Sequence, residues 1–552
     1  MAEREVSVLI GGRAGDGISS AGQIVARLLA QAGYRVHMYF DYPSLIKGGH
    51  NFAIIRAAEE GIGAVRNQVD FILALNQETI HLHRHRLGER GVIIYDTGTS
   101  KQAEGIGIPV KNILDAEKAP PVMGNSAIIG AFIKAAGLNW DTSTSVMKKS
   151  MPKETEKNLR IARRAYDISE ERHQVPQTGK PVLPVFTGNE AISIGLIEAD
   201  LGIYFSYPMS PTSNILHFLA ANADDLHVRV IQPESEIAVI LMALGCSYAG
   251  LRAAIGTSGG GFCLMTEALG LSGIAELPIL IVLGQRTGPS TGLATYSAQS
   301  DLHFALHAGQ GEFPRLIIAP GDAGEARLWS GTALDLAWKY QIPAIILSDR
   351  LICEGLYSME PDRERYNAMP VMADPGVHPY LRYAPADSGI SPLRFPPAKG
   401  EIIRVNSHVH DPDGITTEDP LVTKEMADKR MKKMNGLARE IEGMNPITIG
   451  GVADSPAALL CWGSSKGVCE ELAKKKGLRL IQPVVLWPFA EKMFARAMDG
   501  VEQFYAVETN ESGQLAALVS RFGYRPTGKI LKYDGRPFMV DELETALDKV
   551  IP

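Results

Sequence analysis

No Cys-x-x-Cys pair occurs anywhere in these 552 residues. The five cysteines, Cys246, Cys263, Cys353, Cys461 and Cys469, stand apart in apolar segments. An iron-sulfur cluster needs four thiolates, commonly close together in sequence, so this chain holds no ligand set for one. Buried free thiols in a reducing compartment account for them. No apolar run reaches the ~18 residues of a spanning helix, and the first residues, Met1-Ala2-Glu3-Arg4-Glu5-Val6, lack a signal-peptide pattern. A cytoplasmic protein is expected. Excess positive charge is also missing: the net charge is −7, which argues against nucleic acid or an anionic membrane as partner. The Gly-Lys-Ser/Thr ending of an ATP-binding loop is absent from the opening glycine loop. Its glycines, at 11, 12, 15 and 17, do not match Gly-x-Gly-x-x-Gly, so a nicotinamide dinucleotide is poorly supported.

What the chain does have is length for three or four domains and 45% hydrophobic residues. Its organising stretch is Tyr204-Phe205-Ser206-Tyr207-Pro208-Met209-Ser210-Pro211-Thr212-Ser213. An apolar strand stops there at two prolines, which stiffen the backbone, and hydroxyls gather just before a helix. Such a turn suits a carboxylate or phosphate; alone, it also reads as an ordinary capped turn between strand and helix. Three further stretches follow: Gln232-Pro233-Glu234-Ser235-Glu236, Gly256-Thr257-Ser258-Gly259-Gly260-Gly261, and Gly284-Gln285-Arg286-Thr287-Gly288-Pro289-Ser290-Thr291-Gly292-Leu293-Ala294-Thr295. Each lies where a strand gives way to a loop or helix, about 25 residues after the last, the rhythm of an open parallel sheet. Ligands bind such sheets at the carboxyl ends of the strands.

This order resembles the pyrimidine-binding domain of the 2-oxoacid:ferredoxin oxidoreductases, which use thiamine diphosphate. Tyr-Pro-Met-Ser-Pro-Thr-Ser stands for the family's Tyr-Pro-Ile-Thr-Pro-Ser-Ser-like turn, with Ser210 replacing the usual threonine. The resemblance extends along the chain. The loop Gly11-Gly12-Arg13-Ala14-Gly15-Asp16-Gly17, the segment Ile46-Lys47-Gly48-Gly49-His50-Asn51, Asn125-Ser126-Ala127-Ile128-Ile129-Gly130 and Glu156-Lys157-Asn158-Leu159 resemble the family's γ domain. Gly188-Asn189-Glu190-Ala191 resembles the start of the pyrimidine domain. Pro483-Val484-Val485-Leu486-Trp487-Pro488-Phe489 and Glu508-Thr509-Asn510-Glu511-Ser512-Gly513-Gln514 resemble the transketolase C-terminal-like domain. The expected fold is α/β, with three Rossmann-like or thiamine-enzyme-like domains and mainly parallel sheets. The boundaries implied are a γ domain over 1–175, a linker over 176–184, the pyrimidine domain over 185–355, a covering segment over 356–450 and the C-terminal domain over 451–552.

Two patterns in the first domain are decoys. Gly15-Asp16-Gly17 looks like the start of the thiamine magnesium motif, yet the required asparagine does not follow at the needed distance, and Asn51 is too far. His81, His83 and His85 alternate with Arg84 and Arg86 without a carboxylate among them, so they read as a solvated basic helix face.

Thiamine chemistry needs a carboxyl group that hydrogen-bonds N1′ of the aminopyrimidine. The resemblance assigns this to Glu236, with Glu234 as the alternative and otherwise the helix cap. It assigns Ser210, Arg286 and Thr295 to the substrate, with Arg286 pairing the 2-oxoacid carboxylate bidentately. Tyr207, Pro208, Pro211 and Glu236 are the implied cofactor contacts, and Gly12, Gly15 and Gly17 the candidate CoA contacts. A smaller β subunit is expected to bring Mg2+, the diphosphate site and a [4Fe-4S] cluster, with ferredoxin, CoA and a 2-oxoacid as the other partners and an αβ or (αβ)2 assembly. The fused layout and the Gln-Arg-Thr-Gly-Pro-Ser-Thr-Gly loop resemble 2-oxoglutarate and broad 2-oxoacid members; a pyruvate or branched-chain enzyme is the alternative. A subunit that kept the fold and lost the chemistry, or a dehydrogenase using the N-terminal glycine loop, are the rival classes.

Overall fold

The computed structural model describes residues 5–44, 49–101, 104–360, 376 and 378–551. Ile46, Lys47 and Gly48 of the γ-like segment lie outside them. The chain groups into two compact units, one of residues 1–187, 354–363 and 538–552, the other of 188–353 and 364–537. The first unit starts where the expected γ domain does, runs on to residue 187 and takes in two later segments. Strand Leu356–Ser358 and the C-terminal helix Val540–Leu547 belong with the N-terminal unit. The helix is held there by Asn67 N–H donating to Asp541 Oδ2 (2.7 Å) and Val540 N–H donating to Val65 O (3.1 Å).

The first unit is built on an eight-stranded sheet, in the order 106–108, 87–96, 69–74, 5–13, 50–58, 35–41, 356–358 and 185–187. The first four strands are parallel, the βα half; the remaining pairings are antiparallel. The strand Glu5–Arg13 and helix Ile18–Gln31 bury nearly all their apolar residues, as expected for an element covered on both faces. Two γ-like sequence stretches meet: Ser126 Oγ donates to Asn158 Oδ1 (2.8 Å), while Gly130 lets helices Gly124–Ala135 and Thr155–Asp167 close on each other, since a Cβ there would overlap the Ala162 backbone.

The second unit contains a seven-stranded sheet, ordered 485–487, 316–318, 343–349, 279–285, 253–258, 203–206 and 229–231. All neighbours are parallel except the edge strand Val485–Trp487. Register therefore places Ser206 beside Gly256, Ser258 beside Gly284, and Gln285 beside Asp349 along one carboxyl edge. A five-stranded sheet, in the order 447–451, 479–483, 457–460, 503–508 and 528–531, belongs to the same unit. Gln299 ties the two sheets: its Nε2 donates to Trp462 O (2.6 Å) and its Oε1 accepts from Thr509 N–H (2.9 Å) and Ser465 Oγ (3.0 Å).

The segment after residue 376 folds onto this unit through a buried ionic cluster. Glu276, fully buried, accepts from Lys429 Nζ at 2.8 Å and pairs with Lys433, both on the 23-residue helix Pro420–Glu442. Burial pushes the Glu276 carboxyl up, but Lys433, Lys429 and Arg382 outweigh it and hold the pKa down to about 2. Among the described residues no helix is long and apolar enough to cross a membrane. Cysteines 353, 461 and 469 are buried and Cys246 is half-buried, whereas Cys263 is exposed, contrary to the expectation of a buried thiol. Helix Gly259–Ile274 is apolar nearly all round, so part of its surface, Cys263 and Leu264 included, is left facing outward.

Candidate active site

The strand Ile203–Ser206 ends under the Pro-rich turn, and two glycines on neighbouring strands make room for it. A Cβ at Gly284 would lie 2.7 Å from Thr212 Cγ2 and 2.8 Å from Pro211 Cδ; one at Gly256 would overlap the Tyr204 hydroxyl. The turn therefore lies flat over the carboxyl edge. Asn189 Nδ2 donates to Pro211 O (2.9 Å), Ser206 Oγ to Gly256 O (2.9 Å) and Thr212 Oγ1 to Met209 O (3.1 Å). Asn189 of the Gly-Asn-Glu-Ala stretch thus has a structural job, fixing the turn. Tyr207 and Pro208 are exposed at its tip and Ser210 is half-buried.

Glu236 opens helix Glu236–Tyr248, which follows the edge strand Arg229–Ile231. It is only 7% exposed, and its carboxyl lies against the glycine turn that starts helix Gly259–Ile274: a Cβ on Gly261 would be 2.9 Å from Glu236 Cγ and 3.0 Å from Oε1. Among the described residues no side chain or amide hydrogen-bonds this carboxyl, although it stands where a helix start offers free amides. Glu234 is exposed and does not cap the helix; Ser235 does, its Oγ accepting from Ala238 N–H (3.4 Å). Serine reaches back to the third amide from the N-cap position itself, whereas a side chain one residue earlier does not.

Arg286 follows the end of strand Ile279–Gln285, half-buried, with Nη1 donating to Ser210 O (3.3 Å). The guanidinium and the Pro-rich turn are thus joined. The loop beyond doubles back, Leu293 N–H donating to Thr287 O (3.0 Å), and delivers Thr295. Thr295 is 7% exposed and its Oγ1 is buried with no hydrogen-bond partner, as is Ser258 Oγ at the start of helix Gly259–Ile274. Buried hydroxyls without partners cost free energy unless something completes them, which marks them as places for a ligand.

One acidic residue of this edge escaped sequence reasoning. Asp301 stands against the same glycine turn, both carboxyl oxygens 3.2 Å from where a Gly259 Cβ would be. Its Oδ2 is buried without a partner, and its backbone N–H donates to Gln285 Oε1 (3.1 Å). Burial pushes its pKa up to about 6, against the opposing charge of Arg286. In sequence it reads as the cap of helix Leu302–His307, a role its side chain does not play.

The N-terminal glycines belong to the other unit. Gly15 and Gly17 take the left-handed conformation (φ 100° and 72°) that a tight turn needs and glycine permits. Asp16 Oδ2 accepts from Arg13 N–H (2.7 Å), and Ala14 N–H donates to Gly49 O (3.3 Å), so these amides already have partners. The histidine run is not a uniform solvated face: His83 is buried, its Nε2 2.9 Å from His50 Nε2, and burial together with His50 lowers its pKa to about 3. The α-helix ends at His83 and continues as a 3-10 turn, which rotates His85 outward.

A buried, partnerless carboxyl, two buried open hydroxyls and an arginine on one sheet edge fit the aminopyrimidine end of thiamine diphosphate together with a small carboxylic acid. Comparison with known proteins agrees. Residues 194–429 match the family model described as pyruvate flavodoxin/ferredoxin oxidoreductase, thiamine diphosphate-binding, and residues 7–168 match pyruvate ferredoxin/flavodoxin oxidoreductase. The alpha subunit of 2-oxoacid:ferredoxin oxidoreductase from a Sulfolobus species is 30% identical, over 99% of this chain and 97% of that protein. The 2-oxoglutarate oxidoreductase subunit KorA of Mycobacterium tuberculosis is 31% identical over 65% of this chain and 56% of its own length. The structure of 2-oxoglutarate:ferredoxin oxidoreductase from Magnetococcus marinus, solved with 2-oxoglutarate, coenzyme A and succinyl-CoA, superposes with a TM-score of 0.89 at 25% identity, covering all of both chains. Matched in sequence over nearly all of its length and in fold over all of it, this chain belongs to the family of 2-oxoacid:ferredoxin oxidoreductase alpha subunits.

Proposed function

We propose that this chain forms half of a thiamine diphosphate site whose other half is a β subunit, and that the assembled enzyme converts a 2-oxoacid, with 2-oxoglutarate favoured, and CoA to acyl-CoA and CO2 while reducing ferredoxin, or runs the reverse carboxylation. Bound at this edge, thiamine diphosphate supplies the nucleophilic carbon and the electron sink for decarboxylation. Glu236 holds a proton at N1′ of the aminopyrimidine, and its placement beside Gly261 keeps that carboxyl from swinging away. Arg286 receives the substrate carboxylate bidentately, its aim supported by the bond to Ser210 O. The Thr295 hydroxyl completes its open hydrogen bond to the substrate, with Ser210 on the facing turn. Tyr207, Pro208 and Pro211 wall the cofactor. The Gly12, Gly15 and Gly17 loop is the proposed CoA contact, where a phosphate would displace Asp16 from the Arg13 amide.

The observation that carries the reading is Glu236: a largely buried glutamate set against a glycine turn, its carboxyl without a protein partner. The β subunit is favoured by an apolar surface on the helices that flank it, where Ile237, Leu241, Met242 and Leu264 are all exposed. An uncovered patch of this kind, adjoining a half-built site, marks a protein interface. That subunit would carry Mg2+ and the [4Fe-4S] cluster, and the assembly would be αβ or (αβ)2 in the cytoplasm. The test is reconstitution. The purified chain should be colourless and inactive, and its complex with the β partner should be brown and reduce viologen with 2-oxoglutarate and CoA. A cluster in the isolated chain overturns the division of labour; activity with pyruvate or branched-chain acids alone overturns the substrate.

A further inference from the structure

Two carboxyls flank the start of helix Gly259–Ile274. Glu236 lies against Gly261, its Oε1 3.0 Å from where a Cβ would be, and Asp301 lies against Gly259, both its oxygens at 3.2 Å. Successive helical residues point about 100° apart, so positions 259 and 261 face nearly opposite sides, and the two acids stand across the helix end from each other. No side chain caps that end. Ser258, fully buried at the N-cap position, makes no cap bond, and its Oγ has no partner. A Cβ on Gly260 would meet nothing within 4 Å, so the turn is open on that side.

Asp301 is pinned through its backbone. Its N–H donates to Gln285 Oε1 (3.1 Å) and its carbonyl accepts from Ala305 N–H (2.8 Å). Gln514 grips the residues on either side, Nε2 donating to Ser300 O (2.8 Å) and Oε1 accepting from His303 N–H (3.0 Å). The side chain has no such hold: the residue is half-buried, and among the described residues neither carboxyl oxygen has a hydrogen-bond or ion-pair partner. A pinned acid left open in this way marks a place that a ligand completes.

The aminopyrimidine of thiamine diphosphate carries polar groups at opposite ends of one ring, the nitrogen N1′ and, across from it, the 4′-amino group. Accepting the reading of Glu236 as the N1′ carboxyl, we propose that Asp301 is the hydrogen-bond acceptor for the 4′-amino group, so that the ring spans the open helix end between the two acids. An ionised carboxylate is an acceptor only and forms the stronger, charge-assisted bond, which suits it to an amine better than the neutral Ser258 hydroxyl. The role is one of binding and positioning: with one N–H held by Asp301, the orientation of the amino group is fixed.

The experiment uses the assembled complex freed of cofactor, with Mg2+ present. Dissociation constants of thiamine diphosphate and of its 4′-deamino analogue are measured by calorimetry in wild type and Asp301→Ala. Wild type should hold thiamine diphosphate about tenfold or more tighter than the analogue, since a hydrogen bond to a charged group is at stake, and the gap should close in Asp301→Ala. A gap that persists in the variant, or an equal loss for both compounds, overturns the proposal; a gap closed by Ser258→Ala instead assigns the amino group to that hydroxyl and overturns it too. Should Asp301→Ala fail to assemble, Asp301→Asn keeps an acceptor without its charge, so the gap should narrow, and an unchanged gap overturns the proposal. The analogue with carbon in place of N1′ tests the underlying reading separately. Glu236→Ala should erase the preference for thiamine diphosphate over that compound; if the preference stays, the ring lies elsewhere and both readings fall, whereas a preference erased there with the amino-group gap intact in Asp301→Ala removes Asp301 alone.

Discussion

Gly261→Ala tests whether Glu236 acts from where it stands. The added methyl would overlap the Thr257 hydroxyl and sit 2.9 Å from Glu236 Cγ and 3.0 Å from Oε1, while ordinary contact begins at 3.4 Å. The Glu236 side chain must therefore retreat by about half an ångström, or the helix start must shift. Misplacing a reacting group by about 1 Å costs on the order of 100-fold in rate, so a loss of about tenfold in kcat is expected. Stability moves less. Alanine in a helix gains about 0.5 to 1 kcal/mol over glycine, and overpacking costs about 1 to 3 kcal/mol. Gly260→Ala is the matched control, because a Cβ there meets nothing within 4 Å. Viologen reduction by the two complexes, alongside their melting temperatures, isolates the effect. Equal turnover in Gly261→Ala and Gly260→Ala would refute the placement of Glu236 as the working carboxyl.

The remaining predictions use the same complex. Glu236→Gln should lower kcat by about 100-fold to 10,000-fold, and exposed Glu234→Gln should not; the reverse pattern would falsify the assignment. Arg286→Lys keeps the charge but loses the paired geometry, weakening one or two hydrogen bonds worth about 1.5 to 3 kcal/mol each; kcat/KM should fall at least tenfold for every 2-oxoacid tried, and a loss limited to 2-oxoglutarate would move Arg286 to the distal carboxylate. Glu276→Gln strands two buried ammoniums and should cost about 3 to 5 kcal/mol in urea unfolding. Because the Glu276 pKa is depressed to about 2, its contribution is full above the unfolded value and is lost as pH falls through 2, so the variant and wild type should converge in acid.

The sheet edge was legible because it is written locally. Ile203–Ser206, Ala253–Ser258 and Ile279–Gln285 are short apolar runs, each followed by its own glycines or prolines, and periodicity finds such strands. Arg286 could be named because it follows its strand directly and offers two donors to a carboxylate, and Ser210 because the turn that holds it carries the family resemblance. Asp301 could not, since it follows an irregular loop and its neighbours, Gly259 and Gln285, come from distant sequence. The Ser235 cap was missed by favouring charge over reach. His83 was misread because alternation with arginine looks solvated, and only the partner strand brings His50 to it. The helix Val540–Leu547 carries nothing in its own residues to say that Asn67 and Val65 will receive it.

The first unit closes its sheet with residues that arrive late. Strand Arg35–Asp41 pairs on one side with His50–Ala58 and on the other with Leu356–Ser358, which in turn holds Val185–Thr187. A ribosome adding about 5 to 20 residues per second needs roughly 15 to 60 s to pass from the former strand to its outer neighbour. Throughout that interval His37 and Met38 lack their later partners Tyr357 and Leu356, and the outward-turned amides and carbonyls of this edge stay open. Slow decoding between residues 41 and 356 therefore lengthens the time for which that edge is open to pairing with another chain.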